Sequence, residues 1–277
     1  MAFAASKSDA EHLRAISAYL NSSIGRYLTF FHCVHWGVER TDFAPSEART
    51  VPIPDFTPEQ VAQLAQFYRQ LSDRQTAELA SKQIPLFKGQ SEKMRPARAT
   101  PEQEQEIRRL LDDEVERVLG IPPHLAIIPR EFMEVRFQFL DGKSSVPAAM
   151  QVENDALARY AQCLARLLDD FARTSHRISI SHDRDFIVCT IEITDKKEPI
   201  EPTVFKGEPS KEDQQLWQDL RQPFSQWVYV QRSLCVFEGR KIHLWKNARV
   251  MDWTQTQAML DADSIISDVL TYTGETS

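Results

Sequence analysis

Residues Ser17–Phe56 read SAYLNSSIGRYLTFFHCVHWGVERTDFAPSEARTVPIPDF and hold the pattern from which the fold is predicted. The first half predicts an amphipathic helix, because apolar residues recur at intervals of three and four. The residues that make this pattern are Leu13, Ile16, Leu20, Ile24, Tyr27 and Phe31. Ser8 and Glu11 have the spacing of a capping box at the helix start, and Trp36-Gly37 predicts its end. Val51-Pro52-Ile53-Pro54 then predicts extended backbone, since proline disfavours helix.

Two further helices are predicted from a repeated start signal. Thr57-Pro58-Glu59-Gln60 and Thr100-Pro101-Glu102-Gln103 each place Thr at the N-cap, Pro in the first turn and Gln where it closes a capping box. The first helix should run towards Leu79, and the second should end at Gly120. Residues 82–99 contain prolines, a glycine and basic residues, and they predict a loop or linker.

The middle of the chain predicts more helix. Residues 124–140 fit both strand alternation and helical spacing, and we favour a helix with Pro129 in its first turn. Residues 148–173 predict a longer helix with a wide apolar stripe. The stripe contains Leu157, Tyr160, Leu164, Leu167, Leu168 and Phe171.

The last hundred residues change to a period of two. One β-hairpin is predicted around residues 178–193 and a second around 228–245, turning at Phe237-Glu238-Gly239-Arg240. A Pro/Lys-rich loop and a short helix over 216–224 should lie between them, and Asp252 should cap a final helix. The predicted fold is α+β: a mainly helical N-terminal two-thirds, then a small antiparallel sheet of two hairpins and a terminal helix. We divide it at residues 1–95, a helical segment with a basic linker, and 96–277, an α+β domain.

Composition limits the classes of function. The 277 residues carry a net charge of −7, which argues against a general nucleic-acid coat, since proteins that neutralise many phosphates are normally basic. A local basic face that binds nucleic acid is still possible, because seven Lys/Arg and three acids lie between Arg69 and Arg98; that run is either a solvated loop or a phosphate-facing one.

Four widely spaced cysteines predict buried thiols in a reducing compartment. No apolar run is long enough to span a membrane, so we expect a cytoplasmic protein with no membrane partner.

The opening stretch also resembles a known family. Tyr19-Leu-Asn-Ser-Ser, an aromatic-rich run, Trp36-Gly-Val-Glu-Arg and Val51-Pro-Ile-Pro follow one another as in the C-terminal specificity region of N6-adenine DNA methyltransferases of the Eco57I and TaqI type. In that family the segment belongs to target recognition. Residues 228–266 are similar to the terminal region of some restriction-system methyltransferases and their split accessory proteins, where a Gln-Arg strand precedes a Trp-Thr-x-x-Gln-Ala helix.

The chemistry of methyl transfer is missing from the sequence. The glycines are isolated and Pro122-Pro123 follows Ile121, so neither an AdoMet-binding Gly-rich turn nor an Asn/Asp-Pro-Pro-aromatic motif is present. His32-Cys33-x-His35 and His182-Asp183-Arg184-Asp185 are poor metal or nuclease motifs. We therefore assign no catalytic residue, no metal and no cofactor, and enzyme activity is left uncertain, with the balance against it.

The resemblance implies a non-catalytic DNA-recognition or accessory subunit of a bacterial restriction-modification or phage-defence system. Its expected partners are DNA and a separate methyltransferase or helicase-nuclease. Alternatives are a protein-interaction scaffold without DNA binding and an unrecognised metal-dependent nuclease. The residues expected to bind DNA or dock a partner are Asn21, Arg26, Trp36, Arg40, Arg49, Gln231, Arg232 and Trp253.

Overall fold

The residues that the structure describes form an α+β fold with a helical majority and one five-stranded sheet. The computed structural model describes residues 7–33, 46, 49–81, 100–137, 149–182, 186–195, 198–206, 215 and 233–274. The chain divides into two compact units, Met1–Met133 and Glu134–Ser277. The sequence boundary after residue 95 lies earlier than this division. Among the described helices none is long and apolar enough to cross a membrane.

The N-terminal unit contains five α-helices in its described residues: α1 (Lys7–Asn21), α2 (Ser23–His32), α3 (Pro58–Ser81), α4 (Pro101–Leu119) and α5 (Pro123–Glu131). A short π-helix, Phe132–Arg136, follows α5. Leu64 of α3 and Val115 of α4 are fully buried in one core with Ala15, Ala18 and Tyr19 of α1. The helix after the basic stretch therefore packs with the first helices, which is why α4 belongs to this unit.

The predicted caps of α3 and α4 are confirmed. The Thr57 backbone N–H donates to Gln60 Oε1 at 3.0 Å, and the Gln60 N–H donates back to Thr57 Oγ1 at 3.3 Å. Thr100 and Gln103 make the same pair of bonds. Gly120 ends α4 with φ 65°, a left-handed conformation that suits glycine.

Four details of the predicted helices are wrong. The first helix is broken at Ser22, and because α1 already includes Lys7, Ser8 lies inside it and cannot cap it. Glu11 instead pairs with Arg14 at 2.8 Å and with Arg69 at 3.2 Å. Pro129 lies beyond the first turn, since α5 begins at Pro123. α2 ends at His32 with Cys33 as its C-cap, before the predicted helix end at Trp36-Gly37. Trp36-Gly37 itself and the predicted loop 82–99 lie outside the described residues.

The C-terminal unit contains α6 (Asn154–Ala172), the strands β1 (His176–His182), β2 (Phe186–Ile193), β3 (Thr203–Lys206), β4 (Ser233–Glu238) and β5 (Lys241–Asn247), a 3-10 turn (Val250–Asp252) and α7 (Gln255–Gly274). The sheet order is β3-β1-β2-β5-β4. Both predicted hairpins form, and β2 joins them by pairing antiparallel with β5. The four strands of the hairpins pair antiparallel as predicted, and a fifth strand that was not predicted, β3, pairs parallel with β1 from within the predicted loop, so the sheet is mixed.

One face of this sheet packs against α6 and α7 through alternating apolar residues. Ile178 and Ile180 of β1 are fully buried with Leu157 and Leu164 of α6. The predicted helix start at Ala148 is wrong, because Gln151 forms a β-bridge with Arg249 and α6 begins only at Asn154. In the apolar stripe, Phe171 is 46% exposed and lies outside the core.

The cap of the final helix differs from the prediction. Asp252 lies in the 3-10 turn, and the Thr254 hydroxyl accepts from the Gln257 N–H at 3.1 Å at the start of α7. The helix itself and its buried face are confirmed, since Ala258, Ala262 and Ile265 join the core. The predicted helix over 216–224 lies outside the described residues.

Candidate functional site

The break between α1 and α2 fixes the position of the Asn21–Arg26 segment. Ser22 has extended backbone, with φ −70° and ψ 163°, and its hydroxyl accepts from the Gly25 N–H at 3.3 Å. The same hydroxyl donates to the Tyr19 carbonyl at 2.6 Å. Ser22 therefore closes α1 and caps α2 with one side chain.

A buried carboxylate from α4 holds the first residue of α2. The Ser23 N–H donates to Asp112 Oδ1 at 2.5 Å, and the Ser23 hydroxyl donates to Asp112 Oδ2 at 2.7 Å. Burial raises the pKa of Asp112, and the two bonds from Ser23 act in the opposite direction. The contact ties α2 to α4 across 89 positions of sequence.

Gly25 allows the two helices to meet closely. A Cβ built on Gly25 would stand 2.6 Å from the Leu20 Cα and closer still to the Tyr19 carbonyl oxygen. These distances are shorter than any ordinary contact, so a larger residue would push α2 away from α1. The helix break at Ser22, the Asp112 carboxylate and Gly25 together place Asn21 and Arg26 beside residues of α3 and α4.

These elements surround an open cleft of about 300 Å³. We call it the Arg108 cleft. Its lining residues are Asn21, Arg26, Tyr68, Leu71, Ser72, Ile107, Arg108 and Leu111. Two of the predicted contact residues, Asn21 and Arg26, therefore line one depression. Arg26 also has an interaction within the chain.

Arg108 has no carboxylate partner among the side chains that the structure describes, whereas three other arginines of α4 and α5 are paired. Its neighbour Arg109 lies 3.9 Å from Glu106, and Arg117 lies 2.7 Å from Glu114. Arg130 bonds both Glu116 and Asp113. Arg108 is half-buried in the cleft wall, so its charge lines the cleft with no counter-ion among the described side chains.

Three more polar side chains of the cleft have hydrogen-bonding capacity left over. The Asn21 amide donates to the Ser17 carbonyl at 2.8 Å, and its oxygen accepts nothing from the described part of the chain. Within the same described residues, the hydroxyls of Tyr68 and Ser72 have no protein partner. A few convergent polar groups over an apolar floor are typical of ligand sites.

A second cleft of about 210 Å³ adjoins the first, and the two share Leu71 and Ile107. Its charged lining residues are Glu102, Glu106 and Arg74. The second cleft therefore has two carboxylates and one guanidinium and is net negative, whereas the Arg108 cleft is lined by two arginines and is net positive.

The other predicted contact residues have different positions. Arg49 is exposed. Trp36, Arg40, Gln231 and Arg232 lie outside the described residues.

Trp253 is buried in the core of the C-terminal unit. It is 1% exposed, its indole N–H donates to the Asn247 carbonyl at 2.8 Å, and its ring meets that of Tyr160 edge to face at 4.8 Å. In this position the ring packs the core and has no face open to a base.

Lys246 forms a buried ion pair beside Trp253. Its ammonium contacts the Asp261 carboxylate, the Asp252 carbonyl at 3.3 Å and the Tyr160 hydroxyl at 3.4 Å. Burial lowers the pKa of Lys246, and Asp261 opposes that shift. Because the ammonium has three protein acceptors and lines neither cleft, we interpret this cluster as a link between β5, α6 and α7.

The thiols are consistent with structural roles. None of the four cysteines forms a disulfide, and Cys33, Cys163 and Cys189 are buried, as predicted. Burial raises the pKa of Cys189 to about 12 and that of Cys235 to about 11. Among the described residues, no three His, Cys, Asp or Glu side chains are grouped as metal ligands would be.

Sequence reasoning missed Tyr68, Ser72 and Arg108. No motif marks them, because the packing of α3 on α4 brings them together.

No protein-family model, curated protein or solved structure matches this chain.

Proposed function

We propose that this chain is a non-catalytic DNA-recognition or accessory subunit of a bacterial restriction-modification or phage-defence system. It acts with a separate methyltransferase or helicase-nuclease. The observation that supports the proposal is the Arg108 cleft, where a guanidinium with no carboxylate partner among the described side chains lies beside Arg26 and the Asn21 amide.

The charge arrangement favours an anionic ligand. Arginine side chains bind phosphate groups with two parallel hydrogen bonds. The chain as a whole carries −7, so a phosphate backbone would be attracted only where cations are concentrated. Asn21 and Arg26 belong to the stretch that resembles target-recognition regions, and Arg108 adds a cation to it from α4.

Duplex binding tests the proposal. Fluorescence anisotropy with labelled duplex DNA should give an affinity that falls with salt, because bound phosphates release counterions. Arg108→Ala should weaken binding and reduce the slope of log affinity against log salt by about 1 if one phosphate contact is lost.

Arg109→Ala is the matched control. It removes the same charge one position along α4, from a side chain that is 68% exposed and already paired with Glu106. We expect it to leave the affinity within about twofold, as for an exposed ion pair. Equal losses in the two variants, or no duplex binding with the partner subunit present, would contradict the proposal.

A protein-interaction scaffold without DNA binding is the second candidate. Phe31 is 59% exposed and forms an edge-to-face pair with Tyr27 at 4.9 Å. Exposed aromatic groups can mark protein interfaces. This candidate predicts that Phe31→Ser weakens association with the partner subunit and that no salt concentration gives a duplex-DNA complex.

A further inference from the structure

The size of the Arg108 cleft restricts what can enter it. At about 300 Å³ it lies at the lower end of the range for small-ligand pockets. A DNA duplex can present a backbone phosphate to Arg108 at the opening of the cleft, but it is too wide to enter, since its major groove alone is about 12 Å across. A ligand inside the cleft must therefore be a small group or a single unit of a strand.

The lining has a cationic part and an apolar part. Arg26 and Arg108 supply the guanidinium groups, while Leu71, Ile107 and Leu111 supply aliphatic surface beside the Tyr68 ring. A nucleotide has the matching pair of features, a phosphate and a flat aromatic base. Bases stack on tyrosine rings irrespective of sequence, because every base has a π-face.

We propose that the Arg108 cleft binds one unpaired nucleotide of a DNA strand. Its phosphate contacts Arg108 and Arg26, and its base stacks on Tyr68. The Asn21 amide oxygen accepts a hydrogen bond from the base. The inference rests on the proposed function, since it takes DNA as the ligand.

The second cleft limits the site to one nucleotide. Leu71 and Ile107 line both clefts and mark the boundary between them, and Glu102 and Glu106 line only the second cleft. A following phosphate placed there would meet two carboxylates and one guanidinium, that of Arg74, and the net negative charge of this lining disfavours it. A longer unpaired segment should therefore bind no more tightly than a single unpaired nucleotide.

The test compares duplexes that differ by one nucleotide. The full chain is titrated with a fully paired duplex, the same duplex with one bulged 2-aminopurine, and one with a three-nucleotide bulge. We expect the single bulge to bind about tenfold more tightly than the paired duplex, as expected for one stacked base. The three-nucleotide bulge should gain nothing more, and 2-aminopurine emission should be quenched by stacking.

Four variants locate the effect. Arg108→Ala and Tyr68→Ala should lose both the preference and the quenching, whereas Arg109→Ala and Tyr68→Phe should keep them. Circular dichroism checks that Tyr68→Ala is folded, since this ring also packs against the core. If that variant unfolds, Arg108→Ala against Arg109→Ala decides the result.

The outcomes separate this inference from the proposed function. Equal affinity for bulged and paired duplexes would overturn the nucleotide site and leave duplex binding standing. Absence of binding to any duplex would overturn both. Displacement of the bulged probe by free dAMP at similar concentration would assign the cleft to free nucleotides and overturn the strand assignment.

Discussion

Asp112 holds the first turn of α2 through two hydrogen bonds from Ser23, one from the backbone and one from the hydroxyl. It is 4% exposed, so neither donor would find water if the carboxylate were removed. An unsatisfied buried donor costs about 1–3 kcal/mol. This residue therefore acts on the position of α2, which carries Arg26.

Asp112→Ala should lower the free energy of unfolding by about 2–3 kcal/mol, because two buried donors lose their acceptors. Asp112→Asn should cost less than about 1 kcal/mol, since its amide can still accept the Ser23 N–H and can donate to the Ser23 hydroxyl. Urea denaturation at neutral pH measures both. Equal losses in the two variants would contradict a role based on hydrogen bonding.

Comparing the native protein with Asp112→Asn should also reveal a pH dependence of stability. Burial raises the pKa of Asp112 in the folded state, so the folded protein holds this proton more tightly than the unfolded chain. Its stabilising contribution is complete below the unfolded pKa of about 4 and is lost as pH rises through the folded pKa. The unfolding free energy of the native protein minus that of Asp112→Asn should therefore decrease as pH rises above about 4.

At the scale of secondary structure, the features set by neighbouring residues were predicted from the sequence, and those set by residues far apart in sequence were not. The start signals at Thr57 and Thr100 were predicted correctly, because a capping box uses residues three positions apart. The break at Ser22 was missed, because its cause includes Asp112 on another helix. β3 was missed for a similar reason, since four residues gain strand structure only by pairing with β1.

The same reasoning applies to the candidate site. Asn21 and Arg26 could be proposed from one continuous stretch of sequence. Tyr68 and Arg108 could not, because only the packing of α3 against α4 brings them to that stretch. Trp253 shows the opposite case: it was proposed as a contact residue because it lies in a recognisable motif, but its ring is buried against Tyr160.

Gly25→Ala tests the close approach of α1 and α2. In an ordinary helix interior this change stabilises by about 0.5–1 kcal/mol. Here the new methyl group would collide with the backbone of Tyr19 and Leu20, so we expect a loss of about 1–3 kcal/mol. Thermal and urea unfolding measure the sign. A gain in stability would show that the two helices are not in close contact.

At the scale of the whole molecule, the two units hold separate cores. Leu64 belongs to the core of the N-terminal unit and Leu164 to that of the C-terminal unit, and both are fully buried. The sequence division after residue 95 followed composition, because a Pro- and Lys-rich stretch precedes α4. Leu111 and Val115 nevertheless pack with Leu64, and this long-range contact has no counterpart in local composition.

Leu64→Ala and Leu164→Ala should each cost about 2–5 kcal/mol, as expected for a cavity in a packed core. If each core stabilises its own unit, hydrogen exchange should rise first in α1, α3 and α4 for Leu64→Ala. For Leu164→Ala it should rise first in α6, α7 and the sheet. Exchange that rises equally in both units for either variant would show one cooperative structure instead.

Because the Arg108 cleft is built from α1 to α4, Leu64→Ala should also weaken DNA binding under conditions where Leu164→Ala leaves it unchanged.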